Sequence, residues 1–75
     1  MSVKEIHGYN VEYSSSSDTL SKIVHEWEEH SRESLEHILK RVRESSEKKI
    51  MIGDEENIAL RYKGGQDYSL EKKEY

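Results

Sequence analysis

The chain has 75 residues, sixteen of them acidic against twelve Lys and Arg, for a formal net charge of −4. Only fifteen are Ile, Leu or Val, and Phe, Cys and Pro are absent. These numbers exclude a disulfide framework, a thiolate zinc site and a thiol nucleophile, and they set one domain, residues 1–75, as the ceiling.

No apolar run exceeds three residues, too short for a membrane-spanning helix or a signal-peptide core. With the lack of Cys, this sets the expectation of a cytoplasmic protein without a membrane partner. The aliphatic fraction sits near the ~20% level at which chains stop folding. The small net charge and the periodic spacing of the apolar residues argue for a folded chain.

The first element is a strand over about 3–13. Tyr9, Val11 and Tyr13 alternate with Asn10 and Glu12, and Val3 is in phase with them. Ile6 is out of phase, and a bulge at Gly8 would return it to the core side. Ser14 to Ser17 then form a short polar turn.

A helix is predicted over about 18–46, capped by Ser17 or Asp18. Leu20, Val24, Trp27, Ser31, Leu35, Ile38 and Val42 recur at three- and four-residue spacings and form one stripe, with Ile23 and Leu39 at its edges. Glu28–Arg32, Glu36–Lys40 and Arg43–Glu47 are spaced as i,i+4 pairs on the solvent side. Such a helix of about 28 residues spans roughly 42 Å. A strand of typical length covers only ~17–20 Å. Either the first strand helps to cover the stripe, or the helix bends, or part of the stripe faces another protein.

A meander over about 49–73 follows. A five-residue turn at 53–57, carrying Asp54, Glu55 and Glu56, pairs Ile52 with Ile58 and Ile50 with Leu60. A three-residue loop from Gly64 to Gln66 pairs Tyr62 with Tyr68 and Leu60 with Leu70. The opposite face carries Ala59, Arg61, Lys63, Ser69 and Glu71 and should be wet. The expected fold is therefore α+β and two-layered. One long amphipathic helix packs on a small, mainly antiparallel sheet in the order β-α-β-β-β. The crossover helix allows the first strand to lie parallel to a neighbour.

The residues that carry chemistry are sparse. His25 and His30 are five apart, so they do not share a helix face as a zinc-protease pair must. Glu26, His30, Glu33 and His37 share a stripe, but His30 and His37 lie about 10 Å apart along the axis, too far for one ion. A solvated flank explains them better, and neither a metal nor a cofactor is expected. There is no Gly-x-Ser-x-Gly elbow and no Gly-rich loop entering a helix. Catalysis and a small-molecule substrate are not expected.

What remains is binding. The expected function is that of a small non-enzymatic binding or regulatory protein, contacting another protein or a second copy of itself. The interface candidates are Trp27, Ser31, Leu35, Ile23 and Leu39. Trp is a common interface anchor, and a small Ser31 in the stripe would admit a close neighbour. The alternative is nucleic-acid binding through Lys40, Arg41, Arg43, Lys48, Lys49, Arg61 and Lys63, although the acids Glu44 and Glu47 interrupt that set. Mimicry of a polyanion by the acidic turn and helix is disfavoured, because interspersed bases dilute its field.

Overall fold

A computed structural model describes residues 2–53 and 57–72. The chain runs β1 (Ser2–Ile6), β2 (Tyr9–Tyr13), α1 (Asp18–Glu29), α2 (Arg32–Glu44), β3 (Lys49–Ile52), β4 (Ile58–Gly64) and β5 (Asp67–Lys72). The α+β, two-layer class holds. The order is β-β-α-α-β-β-β rather than β-α-β-β-β, because both of the first two expected elements divide.

The first strand is a hairpin. His7 and Gly8 both have positive φ, 52° and 91°, as the mirror-image turn of a two-residue hairpin requires. Ile6 and Tyr9 are thereby cross-strand partners on one face. The phase slip at Gly8 is a chain reversal, not a bulge.

The long helix is two helices. His30 and Ser31 are both extended, with ψ of 161° and 156°. Ser31 is not a stripe residue but the N-cap of α2, its Oγ accepting from Ser34 N–H at 3.2 Å. Ser17 caps α1 in the same way, accepting from Leu20 N–H. The break also removes the expected Glu28–Arg32 pair, since Glu28 turns to Lys4 instead. The i,i+4 pairs that form on α2 have the base first, Arg32–Glu36 and Lys40–Glu44. Glu47 lies beyond the helix, which ends at Glu44 with Ser45 as its cap.

The five strands form one sheet in the order β1-β2-β5-β4-β3. Only β2 and β5 are parallel, so the sheet is mainly antiparallel. The meander register is the expected one: Ile50↔Leu60, Ile52↔Ile58, Leu60↔Leu70 and Tyr62↔Tyr68. The acidic residues 54–56 of the expected turn and residues 73–75 lie outside the described residues.

Both helices cover the same sheet face, α1 over β1, β2 and β5 and α2 over β3 and β4. The core between the layers gathers Ile6, Tyr9 and Val11 from the hairpin, Leu20, Val24 and Trp27 from α1, and Leu35, Leu39 and Val42 from α2. Ile58, Leu60, Tyr68 and Leu70 come from the meander. Ala59 is on the opposite face yet fully buried. Met51 and Glu71 stand directly across from it on both sides, flanking its single methyl with longer side chains. Among the described residues, no helix is long and apolar enough to cross a membrane.

Candidate protein-contact surface

The break between α1 and α2 leaves an open groove of about 370 Å³ beside β3. Ile23 and Trp27 of α1, Ile38 of α2, and Met51 and Ile52 of β3 line it, with Glu26 and Arg41 at its rim. Ile23, Ile38 and Ile52 pack against the core on one side and remain partly open on the other. A second groove of about 570 Å³ continues from it, sharing Ile23, Glu26 and Gly53.

The backbone of β3 extends this surface. Tyr62 N–H donates to Lys48 C=O at 2.9 Å, which makes 48/62 a hydrogen-bonded pair. Alternation in an antiparallel ladder then bonds Ile50 and Ile52 to β4 and turns the Met51 N–H and C=O outward. The outward Lys49 carbonyl accepts from Ser45 Oγ at 3.0 Å. Among the described residues, none bonds to the Met51 edge in this way. Glu26 and Arg41 are both exposed, and neither has an ion pair among the described residues.

Of the residues that sequence points to as an interface, Trp27, Leu35 and Leu39 are buried in the core, 5%, 1% and 0% exposed. Ser31 caps α2. Of these, Ile23 is half-buried on the groove, which Trp27 also lines. Ile38, Met51 and Glu26 are not among the sequence-based interface candidates, and Arg41 is among them only as an alternative nucleic-acid contact. The usable signal was the uneven width of the helix stripe, whose centre in α2 is Leu39 and whose rim is Ile38.

The seven basic residues do not gather on a single surface. Lys40 pairs with Glu44, Arg61 with Glu71 and Lys63 with Glu12. Lys48 Nζ donates to the Arg43 carbonyl, and Arg43 donates to Tyr68 Oη at 2.8 Å. Lys49 stands directly across from Arg61, so it shares the open sheet face with Arg61 and Lys63, whereas Lys40, Arg41 and Arg43 are on α2, across the molecule. Glu12 accepts from Lys63 at 2.7 Å, and this bond holds the ammonium above its ordinary pKa.

A polar network runs along the flank of α2 that faces away from the groove. Tyr9 Oη donates to Glu36 Oε1 at 2.6 Å. Arg32 lies 5.9 Å from the Tyr9 ring centroid, and the Tyr9 and Tyr68 rings meet edge to face at 5.8 Å. The hydrogen bond from Tyr9 lowers the Glu36 pKa. The same bond, with burial, raises that of Tyr9. Bonding to Tyr68 raises the Arg43 pKa. These groups satisfy the polar ends of core aromatic rings, the ordinary need of a buried Tyr.

Two further features are accounted for locally. A groove of about 730 Å³ at the start of α1 is walled by Ser14, Ser16, Ser17 and the closed Lys63–Glu12 pair. His25 pairs with Glu29, and His30 lies in the helix junction, where its carbonyl meets His7 Nε2 at 2.7 Å. Among the described residues no three His, Asp or Glu side chains gather as a metal site. Compared with known protein families, curated proteins and solved structures, the chain matches none.

Proposed function

We propose that the chain is a non-enzymatic binding protein that contacts a protein partner through the groove beside β3. One observation carries this reading: half-open apolar walls from three elements adjoin a strand edge that is uncovered among the described residues. A strand edge offers directional backbone bonds, and the isoleucine walls offer apolar area to cover. The binding surface therefore differs from the one that helix periodicity alone suggests, most of which faces inward.

The test is site-specific photo-cross-linking in the cell that makes the protein. A benzophenone amino acid replaces Lys22 or Ile38 on the two grooves, and Glu5 on the open sheet face serves as the control. Protein adducts from 22 and 38 but not from 5 are expected. No adduct from the groove positions, or equal adducts from all three, overturns the reading.

A further inference from the structure

We propose that the occupant of the β3 groove is a second copy of this chain, joined across a two-fold axis at Met51; this rests on the groove being a protein-contact surface.

The rim charges carry the first part. Glu26 on α1 and Arg41 on α2 border the same groove. Both are exposed and lack an ion pair among the described residues. A two-fold contact sets residue i against j and j against i. One acid and one base on a single patch are therefore complementary to the same patch on another copy. A partner of uniform charge would satisfy one and repel the other.

The register of β3 carries the second part. An antiparallel pairing centred on Met51 sets Met51 opposite itself and Ile50 opposite Ile52 of the other copy. Opposed side chains share a face, so the isoleucines of both copies stay on the helix side. Lys49 falls opposite Gly53, with no like charge across from it. Met51 has its N–H and C=O directed outward, so the central pair can exchange both backbone bonds. A register centred on Ile50 would use backbone groups already bonded to β4. The centred pairing joins the two five-stranded sheets, places both helix layers on one side, and turns the two grooves toward each other.

Sedimentation equilibrium and oxidation of engineered cysteines test this on the full chain, with circular dichroism confirming that each variant is folded. The wild-type protein should be dimeric at hundreds of micromolar. Glu26→Arg and Arg41→Glu should each weaken the dimer about tenfold or more, because each sets like charges together twice. The double variant should regain most of the loss. The chain has no Cys, so any disulfide in a single-cysteine variant joins two copies. Opposed residues in a bonded antiparallel pair lie about 5.5 Å apart, within disulfide reach. Met51→Cys should therefore cross-link on oxidation, and Val3→Cys on the other sheet edge should not.

A monomer at hundreds of micromolar, failure of the double variant to recover, or cross-linking from position 3 rather than 51 overturns the two-fold dimer. Groove photo-adducts with a different protein alone also overturn it, while leaving the groove as a contact surface. Absence of any groove adduct overturns both.

Discussion

Tyr9 shows how a chain without Phe builds its core. Its ring is buried between the layers, while its hydroxyl reaches the Glu36 carboxylate at 2.6 Å. Sequence placed Tyr9 on the core face correctly, by its alternation with Val11. It did not indicate Glu36 as the acceptor, because 27 residues separate the two and helix periodicity put Glu36 in solvent. The bond has a definite pH signature. Glu36 has a lowered pKa in the folded state, so its contribution is present above the unfolded carboxylate pKa and is lost as pH falls through the folded value. Tyr9 has a raised pKa, so its contribution is present below the unfolded phenol pKa and is lost as pH rises through the folded value. Tyr9→Phe should lower the urea midpoint near neutral pH. The gap from wild type should narrow on the acid side of the carboxylate range and again above pH ~10. A gap constant from acid to alkali would show that the hydroxyl matters only through packing.

The two misread elements fail for related reasons. A bulge and a two-residue turn both repair a one-residue slip in an alternating pattern, so Ile6 and Tyr9 three apart fit either. The turn wins because His7 and Gly8 can both take positive φ and because β1 then gains a full ladder on β2. In the helix, Ser31 falls where a stripe residue should, so the 3.6-residue period runs on across the break. The length mismatch with the sheet was the legible warning, and the chain resolves it by stopping at His30 and restarting. Ser31→Ala distinguishes the two arrangements by sign. Inside one continuous helix, Ala would stabilise by a few tenths of a kcal/mol through propensity. At the N-cap it removes the bond to Ser34 N–H and should destabilise by about 1 kcal/mol. Chemical denaturation of the variant reads that sign directly.

At the scale of the molecule, the meander register was legible to the residue because alternating apolar positions and turn lengths admit one phase. The strand order was not, since nothing local states that the last strand enters the middle of the sheet. β5 lies between β2 and β4, and its parallel pairing with β2 joins residues 57 apart, such as Asn10 and Asp67. That centre makes a forecast that sequence position alone would not make. Leu70, five residues from the last residue of the sequence, is 2% exposed, while Val3, two from the first, is 63% exposed. Leu70→Ala should cost about 2–5 kcal/mol through lost burial and the cavity left behind. A chain of this size has only about 4–11 kcal/mol of stability in all. The melting temperature should therefore fall by roughly 10 °C or more, since 1 kcal/mol shifts a domain of this length by about 4–8 °C. Val3→Ala, on an edge strand and facing away from the helices, should change stability by no more than about 0.5 kcal/mol. Equal and small shifts in both variants would place β5 at the periphery and overturn the sheet order. A large shift confined to Leu70→Ala locates the centre of the fold in its last strand.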